Sequence, residues 1–474
     1  MAKRLRTLDK SADILRFSSD GWQARYDKSF TKENIVRLAD ALGHVWSDEQ
    51  PGATVIVGFD TRAQSSEYAR LVAQVIAAHG LEVRVSDRFC PTPAVGFACA
   101  TSDDAVGGII ITATELSCEY NGIVVRDYNG GPVSRGFLDV VEHQIPLKPT
   151  EARGNYQTIN LMTPYLETLL SEVDVETITS SRLRVVVDPM YGAASGYVAE
   201  LLRAAGCSVQ EIHAGPQDDF GGIHPQPADP WADECSSVVQ ETGADLGVLF
   251  DGDGDRAAIV DGSGHLLTPH EFVPLVIKHL AAFRGEKGRV ISTITCSARI
   301  SRQAERLGLE SVSVPVGFAR IYNEIEAGDV LLAAEEYGGM CFPHHLHERD
   351  GLLAALYIVE MVAKSEKSIA ELIAEDTLEL GRMCYMRRGV RLDAAATQAF
   401  RNILPGLNPA DVAGYEPVSV SHADGLRLQF ADNSWVLIRP SRMDALVRVY
   451  AEASTEAQRD KLLDAACEIV RREA

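Results

Sequence analysis

Short runs of β-branched and apolar residues alternate with amphipathic stretches through most of this chain, and this alternation limits its folding more than any other feature. Residues 54–59, 81–85 and 107–112 read as strands, and residues 65–79 carry apolar side chains at helical spacing. The grammar repeats as strand, helix, strand, helix, strand over 183–188, 194–205, 209–213, 236–242 and 246–250, and again from 289 to 334. Such alternation predicts α/β units built on parallel or mixed sheets. The last stretch reads differently. Residues 426–430, 434–439 and 446–451 are strands, the first two joined by the turn-forming Asp432 and Asn433, and one amphipathic helix follows over 455–472. This predicts a separate α+β unit of roughly 100 residues. The chain has 474 residues, enough for three or four domains. Pro-containing or charged loops near 146–153, 261–269 and 375–384 are candidate boundaries.

Charge narrows the partners. Lys plus Arg number 45 and Asp plus Glu 67, a formal net charge of −22. Such a surface repels nucleic acid and anionic membrane over most of its area, so neither is expected as a partner. It also repels a phosphorylated metabolite unless a local basic pocket overrides the global field. The basic first ten residues lead into no apolar run of signal-peptide length, and no stretch approaches the roughly 20 apolar residues of a membrane span. Nine scattered cysteines without a CxxC pair make a disulfide framework or zinc site unexpected. The expectation is a cytoplasmic protein with reduced thiols.

The sharpest local signal is Asp251-Gly-Asp253-Gly-Asp255-Arg256, directly after an apolar strand. Carboxylate oxygens suit a hard cation such as Mg²⁺ or Ca²⁺, and the glycines allow the curvature that lets alternate side chains converge. Ligands of open α/β sheets bind beyond the carboxyl ends of strands, where this loop falls. It is not an EF-hand, because Arg256 and Gly262 stand where that loop needs Gly and a bidentate Glu.

Together with segments elsewhere, this loop resembles a known family. Residues 17–22 (FSSDGW), 58–62 (GFDTR), 91–95 (PTPAV), 188–193 (DPMYGA), 225–227 (PQP), 251–256 (DGDGDR), 335–339 (EEYGG), 345–351 (HLHERDG) and 439–450 occur in the order of the α-D-phosphohexomutase superfamily, which includes phosphoglucomutases and phosphomannomutases. The resemblance implies four domains around a cleft: three similar α/β domains with mixed sheets and a C-terminal α+β domain. These would span 1–150 with the nucleophile-position loop, 151–260 with the metal loop, 261–375 with the sugar-recognition loop, and 376–474 with the phosphate-binding loop. It implies Mg²⁺ held by Asp251, Asp253 and Asp255 together with an oxygen of Thr114, and a phosphorylated sugar or related small metabolite as partner. It further implies sugar contacts from Glu335, Tyr337 and His345, the last in a structural or sugar-contacting role. Arg439, Ser441, Arg442 and Arg448 would bind phosphate. In the family a phosphoserine passes its phosphoryl group to a sugar phosphate, and the other phosphate of the resulting bisphosphate returns to the serine.

The catalytic loop departs from that pattern. Thr114 stands at the serine position, Glu115 at a histidine and Val124 at a lysine, while Gln23 and Ala319 replace an arginine and a lysine elsewhere. Each lost donor in a phosphate clamp is worth roughly 3–4 kcal/mol of stabilisation. Arg25, Arg320 and Arg442 are candidates for compensation. The residues leave several readings open. Thr114, Glu115 and Arg256 are the catalytic candidates for a mutase-like relay through the Thr114 hydroxyl, or Thr114 only coordinates the metal. Glu115 could instead serve as acid or base beside the metal in a changed reaction, which a raised carboxyl pKa would favour. The alternative to an enzyme is an inactive sugar-phosphate-binding or scaffold homologue.

Overall fold

The computed structural model describes residues 15–18, 21–441 and 445–473. Asp20 and Arg442 therefore lie outside the described residues. Four sheets follow one another along the chain. The first contains β1 (Trp22–Arg25), β2 (Thr54–Phe59), β3 (Glu82–Ser86), β4 (Ala105–Ile111), β5 (Tyr120–Asp127) and β6 (Gln157–Ile159), in the order β1-β5-β4-β2-β3-β6. Strands β2, β3, β4 and β6 run parallel, and β5 returns antiparallel between β4 and β1. Helices cover both faces, so β2 is buried at all six positions. Val55 and Val57 face helices Lys32–Glu49 and Ser65–Ala77, whereas Ile56 faces helix Thr92–Ala100. That is the two-residue period of a strand sandwiched between layers.

The second sheet repeats this plan with β7 (Arg184–Asp188), β8 (Ser208–Glu211), β9 (Leu246–Phe250), β10 (Ala257–Asp261) and β11 (Leu266–Leu267), ordered β11-β10-β9-β7-β8. The third has β12 (Arg289–Thr293), β13 (Ser311–Val314), β14 (Val330–Ala334) and β15 (Met340–Cys341), ordered β13-β12-β14-β15. In each, parallel strands end in an antiparallel return, β10 on β9 and β15 on β14. One hydrophobic cluster runs through all three units, beside smaller ones within each. Ile56 and Ile110, Val185 and Phe250, and Val290 and Leu332 all join a cluster that includes the almost wholly buried helix Gly351–Ser365.

The fourth sheet is antiparallel throughout: β16 (Cys384–Arg391), β17 (Pro417–Ser421), β18 (Leu426–Phe430), β19 (Trp435–Pro440) and β20 (Leu446–Ala453), ordered β16-β20-β19-β18-β17. Helix Glu456–Glu473 buries Leu462, Leu463, Ala466 and Val470 against one face. The other face presents Trp435, Leu437 and Tyr450 to Ile294 of the third unit. The result is mixed α/β architecture: three α/β/α domains and a fourth sheet domain. Among the described residues no helix is long and apolar enough to cross a membrane. The cysteines are free thiols, and all but Cys118 are buried.

Candidate active site

The plan of the first three units puts a chemically loaded loop at one repeated position. Each loop links the last parallel strand to its antiparallel partner: 112–119 between β4 and β5, 251–256 between β9 and β10, and 335–339 between β14 and β15. All three lie beyond strand carboxyl ends, and they meet. The backbones of Arg256 and Gly339 form a β-bridge, and Ala257 N–H donates to the Gly338 carbonyl at 3.4 Å. Gly252 touches the first loop so closely that a Cβ there would lie 2.4 Å from the Thr114 carbonyl oxygen. Only glycine fits that junction.

Asp251, Asp253 and Asp255 are fully buried, and one oxygen of each lies within 4.8 Å of the others. Asp251 Oδ2 and Asp253 Oδ1 have no hydrogen-bond partner. Burial, then Asp255, pushes the Asp253 carboxyl up to about 8, and burial with both neighbours holds Asp251 well above the usual range. Buried carboxylates facing one another need a cation or a proton between them. An all-oxygen donor set with orphaned, converging oxygens fits a hard divalent ion such as Mg²⁺.

Thr114 heads the first loop. It is buried, with a left-handed φ of 50°, and its N–H donates to Thr112 Oγ1 at 3.0 Å. Arg62 shapes this loop. Its guanidinium donates to the carbonyls of Thr114 (2.6 Å), Leu116 (2.7 Å), Ser117 (2.8 Å) and Tyr120 (3.2 Å), while Asp60 holds its Nε at 3.0 Å. Both side chains are fully buried. Residues 58–62 stand out in the sequence as a motif, but the role of Arg62 as a loop template depends on contacts more than 50 positions away and leaves no local signal.

The Thr114 hydroxyl donates to Glu115 Oε2. Glu115 Oε1 lies 3.2 Å from Arg256 Nη1, and Arg256 Nε also faces Asp255 at 3.6 Å and Asp251 at 3.7 Å. Burial alone would raise the Glu115 carboxyl, but Arg256 and the Thr114 hydroxyl hold it at about 2. The raised value that would favour an acid–base role is thus not found: Glu115 is an ionised carboxylate, ill-suited to donate a proton near neutrality. Arg25, a candidate to compensate for Gln23, pairs with Asp27 at 2.8 Å and Glu119 at 2.9 Å. Arg320 is exposed.

In the third loop Glu335 accepts from Arg349 at 2.9 Å. Tyr337 is part-exposed, with the Arg387 guanidinium 4.7 Å from its ring centre. Gly338, at φ 84°, closes the turn where a Cβ would collide with the Ala257 carbonyl. His345 is enclosed instead of facing the loops. Its side chain is 1% exposed, its Nε2 lies 3.1 Å from Asp350 Oδ2, and it packs on Phe97 and Tyr165. That is the structural role, fixed by the buried acid beside it. The neighbouring His344 and His347 face other carboxylates, Glu172 and Glu326.

The fourth domain brings basic groups to this edge. Arg439 and Arg448 are paired neighbours on β19 and β20. Arg439 is buried and bound to Asp424 at 2.8 Å, whereas Arg448 has no carboxylate partner among the described residues. Ser441 is buried, its N–H donating to the Leu446 carbonyl at 2.8 Å and its carbonyl accepting from Arg401. Arg387 on β16, which sequence reasoning did not single out, lies 3.6 Å from Glu336 of the third loop. Burial raises the Glu336 carboxyl, and a hydrogen bond with Thr295, then Arg387, Arg448 and Arg439, oppose that rise. A cationic part of the fourth sheet thus faces the third loop.

Comparison with known proteins agrees with this arrangement. Residues 15–149, 163–264 and 268–379 match the phosphoglucomutase/phosphomannomutase alpha/beta/alpha domains I, II and III. The chain is 29% identical to a phosphoglucomutase/phosphomannomutase of Thermococcus kodakarensis, over 94% of this chain and 96% of the relative. It is 26% identical to a phosphoglucosamine/phosphogalactosamine mutase of Sulfurisphaera tokodaii, over 96% and 98%. Among solved structures, one from Thermus thermophilus described as a phosphomannomutase superposes with a TM-score of 0.86 at 30% identity, covering 97% of this chain and 99% of the other. By loop geometry, domain order and these likenesses, the chain belongs to the phosphoglucomutase/phosphomannomutase family of the α-D-phosphohexomutase superfamily.

Proposed function

We propose that this protein is a cytoplasmic, Mg²⁺-dependent phosphohexomutase-like enzyme that shifts a phosphoryl group between two oxygens of a phosphorylated sugar. Its four domains divide near residues 150, 260 and 375. The observation that carries the proposal is the buried, converging carboxylate set of Asp251, Asp253 and Asp255, with unpartnered oxygens on Asp251 and Asp253, beside the Thr114 loop. The relatives' names, all mutases of hexose or hexosamine phosphates, support the substrate class.

The three aspartates would hold the ion, with the Thr114 oxygen completing the set. Bound there, Mg²⁺ supplies positive charge to a transferring phosphoryl group. Thr114 offers the hydroxyl in the nucleophile position, and Arg62 holds its loop still through four backbone carbonyls. Arg256 neutralises phosphoryl oxygens once released from Glu115. Glu335 and Tyr337 read the sugar. Arg439, Ser441, Arg442 and Arg448, joined by Arg387, grip the second phosphate, and the bidentate geometry of arginine suits that task. One observation favours a second reading, a protein that binds sugar phosphate without turnover. Glu115 engages both the Thr114 hydroxyl and the Arg256 guanidinium, the two groups a phosphoryl transfer would need free.

Phosphorus NMR of hexose 1-phosphates and 6-phosphates with the purified protein and Mg²⁺ separates the readings. Interconversion that stops on chelation supports the enzyme. Saturable binding without interconversion supports the second reading and sinks the first.

A further inference from the structure

We infer that Arg349 is a positioning residue that couples the metal loop to the sugar-recognition loop. Its Nη2 lies 2.6 Å from Asp255 Oδ2, and its Nη1 lies 2.9 Å from Glu335 Oε2. One planar fork therefore spans two carboxylates with different tasks, one in the metal set and one in the sugar loop. The fork has little freedom. The side chain is 4% exposed, its guanidinium sits 5.0 Å from the Phe318 ring centre, and its Nε faces Glu348 at 3.5 Å. Glu348 is fully buried and is itself paired with Arg126 of β5 in the first domain. The backbone closes the same circuit through the Arg256–Gly339 bridge, and a Cβ on Gly339 would meet the Arg349 side chain at 2.7 Å.

The consequence is electrostatic. Asp255 and Glu335 both draw on the Arg349 charge, beside Glu348, in a largely buried site where charge–charge coupling is strong. Neutralising Glu335 leaves more of the guanidinium charge to Asp255, where it opposes a dication. A cation on Asp255 conversely turns Arg349 toward Glu335. Linkage makes these effects reciprocal, so metal occupancy and engagement of the sugar loop report on each other. The inference rests on the metal-centre reading of Asp251, Asp253 and Asp255.

The test needs no sugar. Mn²⁺ binding to the full chain is titrated, with free Mn²⁺ followed by electron paramagnetic resonance, for the wild type, Glu335→Gln, Arg349→Met and the double variant. Glu335→Gln is expected to weaken Mn²⁺ binding about fivefold or more, a typical size for a coupling of this kind. The same substitution is expected to have no effect in the Arg349→Met background. If Arg349→Met does not fold, Arg349→Lys replaces it. Lysine keeps the charge but cannot fork, so the Glu335→Gln effect is expected to shrink. The inference is overturned if Glu335→Gln leaves the affinity within about twofold of wild type, or acts equally in both backgrounds. A wild-type chain that takes up no Mn²⁺ overturns the metal-centre reading, and this inference with it.

Discussion

The most consequential residue is Glu115. Its carboxylate stands between a hydroxyl and a guanidinium that phosphate chemistry would use, and its charge is secured by Arg256. Glu115→Gln removes that charge and leaves the guanidinium to anions. Inorganic phosphate, measured by calorimetry in Mg²⁺, should then bind several-fold more tightly, about what one charge-assisted hydrogen bond contributes. Unchanged affinity would show that Arg256 does not face the anion. Arg62 holds the neighbouring loop through its backbone carbonyls. Arg62→Met strands a buried Asp60 and four loop carbonyls, and should cost about 3–5 kcal/mol in urea unfolding. A loss below ~1 kcal/mol would mean that the loop is held by something else. Thr114, Glu115 and the aspartates were readable from the chain because they sit at fixed spacing inside motifs. The partners of Arg62, Arg349 and Arg387 were not, because each bonds to residues distant in the chain, and no local period records such contacts.

At the scale of elements, the strands read best were those whose surroundings left no alternative. The sequence reading of 54–59, 246–250 and 426–430 agrees with β2, β9 and β18. The first two are buried at every position, and the third alternates cleanly between core and half-buried residues. The antiparallel returns were harder. β5 follows a loop with no turn dipeptide, and the Asp-Gly pairs before β10 sit in a six-residue acidic loop that reads first as a metal site. The seam between third and fourth domains shows a different kind of element contact. Glu452 on β20 is fully buried and accepts from Trp435 Nε1 at 2.8 Å and from the Ala298 N–H at 3.0 Å, at the start of helix Ala298–Arg306. His270 lies at the same seam, 4.0 Å from the Tyr385 ring centre, and burial drives its imidazole down to about 3. An unfolded histidine takes its proton near 6.5, so the unfolded chain binds more protons between those values. The stability due to neutral His270 is therefore present above pH 6.5 and drains away as pH falls toward 3, at up to ~1.4 kcal/mol per pH unit. His270→Leu should flatten that part of the stability–pH profile measured by urea unfolding. A profile of unchanged slope would contradict the assignment.

For the whole molecule, the formal charge of −22 argues against a phosphorylated ligand, and the architecture answers it by sorting charge. Buried acidic groups gather where the first three units meet, and Arg387, Arg448 and Arg439 gather on the neighbouring strands β16, β20 and β19 of the fourth sheet. The motif order made the four-part layout legible, whereas the cluster that joins the first three units was not, because it depends on how separate helices pack around Gly351–Ser365. The charge sorting has a thermodynamic signature. Mg²⁺ at about 100 times its Kd should stabilise the fold by ~2.7 kcal/mol, read as a rise in Tm that Asp253→Asn abolishes. The central claim is that Thr114 carries the phosphoryl group in a family whose motif has serine there. Its most direct test is the intact mass of the protein after incubation with a hexose 1,6-bisphosphate and Mg²⁺, followed by peptide mapping. The account predicts one added phosphoryl group, located on Thr114 and missing in Thr114→Ala. Unmodified protein that still binds the bisphosphate would contradict it.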